Sequence, residues 1–203
     1  MILAIDTSTA SCSVAIFADD GALIDACDEV IGCGHAEKLM PTIERLLAGR
    51  RPSQILIGCG PGSFTGLRVG LAAAHGMAIG WSISLVGMSS LALLAAGAPG
   101  DGPVAAAVTG GHGELFVQAF DREPLAPANE LANLSPQDAA EAIATPLVVG
   151  SGAALLVAAR GSGEALGLYP SARDALLLPS SLRSLDPRPL YGRAPDARPR
   201  QAA

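Results

Sequence analysis

Two short stretches of this chain bring together residue types able to hold an anion. The first is Asp6, Thr7, Ser8 and Thr9, a carboxylate closing an apolar run and followed by hydroxyls and the amides of a turn. Such a turn can hold a metal-bound phosphate, or it can be a capped hairpin whose side chains satisfy its own amides. The second stretch runs from Gly60 to Gly70 through Pro61, Gly62, Ser63 and Thr65. It lies between an apolar strand and a helix, where free N–H groups and the helix dipole favour an anion. It is not a P-loop, because no Gly-Lys-Ser/Thr follows, and its spacing is not that of a dinucleotide-binding turn. A tight structural turn explains it equally well.

Other reactive residues are dispersed. His35, His75 and His112 form no Ser-His-Asp set, so ordinary structural roles are expected for them. Cys12, Cys27, Cys33 and Cys59 form no C-x-x-C pair and have no histidine at zinc-finger spacing. Cys33, between Gly32 and Gly34 and beside His35, is either a reactive or metal-binding thiol or an idle one in a reducing compartment. Neither a catalytic residue nor a metal centre is expected.

The elements that must position these groups follow from periodicity. Ile2 to Ile5 reads as a buried strand ending at Asp6. Ser11 to Phe17 alternates like a half-buried strand, Asp19 to Ala22 is a hairpin turn, and Leu23 to Val30 returns as a third strand. Ala36, Leu39, Met40, Ile43, Leu46 and Leu47 then make one helical stripe. Pro41 is expected to kink this helix or mark its true start, and Gly49, Arg50 and Arg51 to close it. Ile55 to Ile57 is a strand, Leu67 to about Gly80 a helix, Ile83 to Val86 a strand, and Ser89 and Ser90 cap a helix through Ala95. After the breakers from Ala98 to Pro103 come strands at Val104 to Val108 and Glu114 to Phe120, and a loop from Pro124 to Ser135. A helix from Pro136 to Ala144, a strand at Leu147 to Val149 and a helix from Ala153 to Arg160 complete the readable part. This divides the chain into 1–98, a smaller lobe at 103–180, and a Pro/Arg-rich tail at 181–203 whose last nine or so residues are expected to be disordered.

The second helix also carries Gly66, Gly70, Ala73, Met77 and Gly80 at steps of four and three, the seam spacing of packed helices. Leu67, Leu71, Ala74, Ala78 and Trp81 form a second stripe that could face the sheet. A helix apolar on two sides is either internal or half of an interface. The interface reading makes a docking surface of Leu39, Met40, Ile43, Leu46, Leu47, Gly66, Gly70, Ala73, Met77 and Gly80.

Composition narrows the classes. Of 203 residues, 50% are apolar but only 3% aromatic, so the core is built from Ala, Val, Leu and Ile. Charged residues stand at 16%, below the roughly 25% usual in globular domains, which points to an apolar patch needing a partner. A net charge of −6 gives no basic field able to hold nucleic acid alone. Val69 to Gly100 contains no Asp, Glu, Lys or Arg, but glycines, serines and His75 break it into a helix, a strand and a second helix rather than a membrane span. The first residues carry no basic region of a secretory signal. A cytoplasmic protein is expected.

Several blocks resemble the TsaB (YeaZ) family, accessory subunits of the bacterial tRNA threonylcarbamoyladenosine machinery. They are Ile2 to Thr9, Ser11 to Ala15, His35 to Pro41, Gly60 to Gly70 and Val86 to Leu91, with returns at Gly113 to Val117 and Pro189 to Asp196. The resemblance implies the actin-like ATPase fold shared by sugar kinases and Hsp70, α/β, with two lobes each a mixed sheet flanked by helices and the second lobe reduced. It implies a degenerate phosphate turn at Asp6 to Thr9 with Gly60, Pro61, Gly62, Ser63 and Thr65. The catalytic subunit TsaD binds iron or zinc through a histidine pair in the region of His35, but here Leu39 stands where the second histidine would be. The second lobe also lacks a clear glycine-rich adenosine motif, and Thr109 to Gly111 departs from the segment that relatives carry there. The resemblance therefore implies a non-catalytic scaffold that binds TsaD, with the P-loop ATPase TsaE as a third subunit. It also implies a homodimer when TsaD is absent, contact with tRNA only through the complex, and a nucleotide, if any, at the partner interface. The alternative is an active actin-like-fold ATPase or kinase, or a metal-dependent glycopeptidase.

Overall fold

The computed structural model describes residues 1–190. Strands β1 (Ile2–Asp6), β2 (Ser11–Phe17) and β3 (Leu23–Val30) form the expected antiparallel meander. Helix α1 (His35–Leu47), β4 (Gln54–Gly58), α2 (Phe64–Trp81), β5 (Ser84–Met88) and α3 (Ser90–Ala96) follow. The sheet order is β3-β2-β1-β4-β5, with β4 parallel to β1 and β5 parallel to β4.

The second lobe repeats this plan. It comprises β6 (Val104–Thr109), β7 (Leu115–Arg122), β8 (Leu125–Pro127), β9 (Ala132–Leu134), α4 (Pro136–Ala142), β10 (Leu147–Val149), α5 (Ala153–Arg160) and β11 (Glu164–Leu166). Its order is β11-β10-β6-β7-β8, with β9 also on β7. The central strand β6 is antiparallel to its sequence neighbour and parallel to β10, as β1 is to β2 and β4. Both lobes therefore carry the strand order of the actin-like ATPase fold, and the second has short outer strands and short helices. The sequence shows no short-period repeat; the duplication exists only as topology.

Three local expectations are corrected. Strand β2 is buried at all seven residues rather than half-buried, because α1 packs on one face and a 3-10 turn (Ala172–Leu177) on the other. The loop from Pro124 to Ser135 contains β8 and β9, which pair with β7 over only three residues each. Helix α1 starts at His35 and runs through Pro41 without ending. Its close is as expected: Ala48 is left-handed, and the Arg50 guanidinium donates to the Leu46 and Leu47 carbonyls at 2.7 and 2.9 Å.

Helix α3 lies between the two sheets, buried from Ser90 to Ala95, and one apolar cluster runs from Ala4, Phe17 and Leu56 through α3 to Val104, Val108 and Phe120. The 3-10 turn joins this layer through Ala172, Ala175 and Leu178. After α6 (Ser180–Arg183) the chain returns to the first sheet. Leu185 bridges Gly87 of β5, and the Leu190 N–H donates to the Cys59 carbonyl at 2.8 Å. The chain's Pro/Arg-rich end from residue 191 lies outside the described residues. Among the described residues no helix is long and apolar enough to cross a membrane.

Candidate functional site

The two anion-site candidates lie against each other. Asp6 ends β1 and is 1% exposed. Its Oδ1 accepts from the Ser8 amide at 2.9 Å and the Ser8 hydroxyl at 2.7 Å, and its Oδ2 accepts from the Ser90 hydroxyl at 2.6 Å. Ser90 in turn accepts from the Gly60 amide at 3.1 Å. Burial raises the Asp6 pKa above the ordinary carboxylate value, opposed by the bonds from Ser90 and Ser8. Thr7 donates to the Gly66 carbonyl at 2.8 Å, and the Ser63 amide donates to the Ser8 carbonyl at 2.6 Å. A Cβ at Gly62, Gly66 or Gly70 would overlap Ser8 O, Thr7 O or Thr7 Oγ1 respectively. The glycines thus admit this chain's own first turn.

This arrangement decides what the turn can hold. Asp6 is buried, and both of its carboxylate oxygens accept from internal donors. The residues present do not fit a metal-bound phosphate at Asp6 and Thr7. Only Ser8, Thr9 and Ser63 of the two stretches reach the cleft between the lobes, a cavity of about 290 Å³ also lined by Val108, Thr109, Ser151 and Tyr169. Among the described residues its lining offers hydroxyls and carries no charged side chain. Ser90, expected only to cap a helix, is the missed member. Ser89 is the cap, accepting from the Ala92 amide at 3.2 Å, so the paired serines divide two jobs.

Two of the three histidines, His35 and His75, make structural contacts. His35 is buried with Nε2 at 3.3 Å from the Ser11 carbonyl, and His75 Nε2 lies 2.9 Å from the Pro187 carbonyl. Among the described residues no three His, Cys, Asp or Glu side chains are placed to share a metal ion. Cys12 and Cys59 are buried, and burial pushes each thiol up to about 11.

The expected docking stripe is displaced. Leu39, Ile43 and Leu46 are each 1% exposed, and Leu47 is buried with them. Together they form the first lobe's core with Ile55, Ile57 and Leu71. Gly66, Gly70 and Met77 are buried too, and at Gly66 and Gly70 the seam faces inward. Its close approach is to Thr7, not to a partner. Met40 (46% exposed), Ala73 and Gly80 do reach the surface. There α1 and α2 enclose two adjoining depressions of about 530 and 470 Å³, which share Met40, Arg51, Met77 and Trp81. Pro41 and Glu44 border the first, and Ala72, Ala73, Gly76 and Gly80 the second. Among the described residues, a Cβ at Gly76 or Gly80 would meet no atom within 4 Å beyond its own helical turn. The sequence signals for this groove are the lone tryptophan and the Arg50–Arg51 pair at a helix end.

Comparisons fit this geometry. The family profile described as TsaD, tRNA N6-adenosine threonylcarbamoyltransferase, matches residues 29–159. The Escherichia coli (strain K12) tRNA threonylcarbamoyladenosine biosynthesis protein TsaB is 35% identical over 130 residues, covering 60% of this chain and 55% of that protein. The chain spans about half the length of the curated relatives it matches. Two solved structures align along nearly its whole length. One, a Pseudomonas aeruginosa protein described by its similarity to the peptidase YeaZ, is 30% identical with a TM-score of 0.79, covering 95% of this chain and 99% of that one. The other, YeaZ from Pseudomonas aeruginosa, is 29% identical with a TM-score of 0.76, covering 94% and 98%. With its doubled strand order and the motif blocks of its first lobe, the chain belongs to the TsaB (YeaZ) family.

Proposed function

We propose that this chain is a non-catalytic scaffold subunit in tRNA threonylcarbamoyladenosine biosynthesis, acting in the cytoplasm. It binds and activates TsaD, with TsaE, for transfer of threonylcarbamoyl from threonylcarbamoyl-AMP to the adenosine 3′ of the anticodon in tRNAs reading codons that begin with A. It meets tRNA only through that complex. The α1–α2 groove is the docking surface, and a second copy uses it when TsaD is absent.

The groove carries this reading. Glycine inside a helix costs about 1 kcal/mol relative to alanine, and Gly76 and Gly80 gain no internal contact in return. A shallow, small-residue groove flanked by Met40 and Trp81 lets another helix approach closely. The name carried by the Escherichia coli relative and the TsaD-type profile support the pathway. The sealed Asp6 carboxylate supports the non-catalytic role.

Reconstitution tests it. TsaD, TsaE, tRNA and threonylcarbamoyl-AMP are combined with and without this chain, and the modified adenosine is quantified by mass spectrometry. Product is expected only with the full set. Full activity without this chain overturns the scaffold reading, and turnover by this chain alone establishes an enzyme instead.

A further inference from the structure

We propose that Arg51 selects the partner, by pairing with a carboxylate on a helix that seats in the α1–α2 groove beside the indole of Trp81. The proposal rests on the docking role given to the groove above and adds what the partner must carry. Arg51 borders both depressions and is exposed. Its guanidinium makes no hydrogen bond or ion pair with any described residue. Its neighbour Arg50 differs: its fork is spent on the carbonyls of Leu46 and Leu47 at the end of α1. Glu44 and Arg50 are the other charged groups on the rim among the described residues, and both border only the first depression. Around the second depression Arg51 is, among the described residues, the one charge beside Met40, Ala72, Ala73, Met77 and Trp81.

This arrangement discriminates. A helix laid on the groove strips water from Arg51, and a cation desolvated without a counter-charge is strongly disfavoured. A carboxylate at that point instead accepts two parallel N–H bonds from the planar fork. Apolar contact with Met40 and Trp81 supplies adhesion to any close-fitting helix, while Arg51 rejects those that lack the acid.

The test is calorimetric binding of the full chain to TsaD, with Arg51→Ala, Arg51→Glu and a control, Arg45→Glu, an exposed cation of α1 that borders neither depression. Affinity is expected to fall about tenfold for Arg51→Ala and about a hundredfold for Arg51→Glu. Arg45→Glu should stay within about twofold. Melting temperatures should match the wild type, and the salt dependence of binding should flatten in Arg51→Ala. Equal losses for both Arg51 variants, with unchanged salt dependence, would mean that Arg51 only packs, and the proposal fails. Wild-type affinity in both also overturns it, while leaving the docking role intact. Absence of any binding by the wild-type chain overturns the docking role itself, and this proposal with it.

Discussion

The hydroxyl of Thr7 occupies the space that a side chain at Gly70 would need, and it donates to the carbonyl of Gly66 on the same helix. One buried threonine thus sets the height of α2 above β1. Gly70→Ala would drive a methyl into that hydroxyl and toward the Ile57 side chain, and should cost about 3 kcal/mol. Thr7→Val keeps the shape but removes the second bond to the Gly66 carbonyl, which keeps its helical partner, for about 1 kcal/mol. Urea unfolding followed by circular dichroism measures both, and a Gly70→Ala protein as stable as wild type would contradict the close fit.

Gly76 and Gly80 should behave oppositely. With open space beside each, Gly76→Ala and Gly80→Ala should each stabilise the isolated chain by about 0.5–1 kcal/mol. Gly76→Leu should leave the melting curve intact and abolish measurable association with TsaD. A Gly76→Leu chain that unfolds early, yet binds, would place this face inside the core.

Asp6→Ala removes the acceptor shared by the Ser8 amide, the Ser8 hydroxyl and the Ser90 hydroxyl, and should cost about 3 kcal/mol. The pH dependence has a definite sign. Burial raises the folded-state pKa above 3.8, so the folded chain holds the Asp6 proton more tightly than the unfolded chain. Wild-type stability relative to Asp6→Asn should fall as pH rises through the window from 3.8 to the raised folded value, then level off. Unfolding both proteins across the acid range checks this, and a difference that grows with pH would mean a depressed pKa instead.

Thiol labelling should follow burial. Cys33 is exposed and should react with a disulfide reagent in the folded protein, whereas Cys12 and Cys59, buried and shifted up to about 11, should wait for unfolding. Rapid labelling of Cys59 at neutral pH would show that the segment over it, whose Asp186 carbonyl lies 3.5 Å from the sulfur, opens readily.

Much of this architecture was legible because the first lobe states its periods plainly. The run from Leu23 to Val30 forms a strand with those bounds, and the Ser89 cap falls where hydroxyls precede an apolar run. What was not legible needed tertiary information. β8, β9 and β11 are three residues long and, unlike the all-apolar β10 of the same length, include a proline, an asparagine or a glutamate, so neither alternation nor an apolar run marks them. On α2 both faces are apolar, and periodicity cannot say which one meets the sheet. The small residues Gly66 and Gly70 read equally as a seam for another chain or as room for Thr7, and only the β1 turn decides between them. The Asp6 turn failed as a phosphate site for the same reason. Its partners Ser63, Gly66 and Ser90 lie far along the sequence.

The return of the last described residues to the first sheet has a consequence for synthesis on the ribosome. Leu185 exchanges backbone hydrogen bonds with Gly87 at 2.7 and 2.9 Å, and Leu190 reaches Cys59. The edge of β5 and the buried Cys59 are therefore closed by residues translated about a hundred positions later. A nascent chain that has emerged through its third helix has made every strand of its first sheet, and still lacks this cover. The first lobe is closed only once residues beyond the second lobe have been made, so assembly through α2, which His75 ties to Pro187, waits for that segment to return to the first sheet.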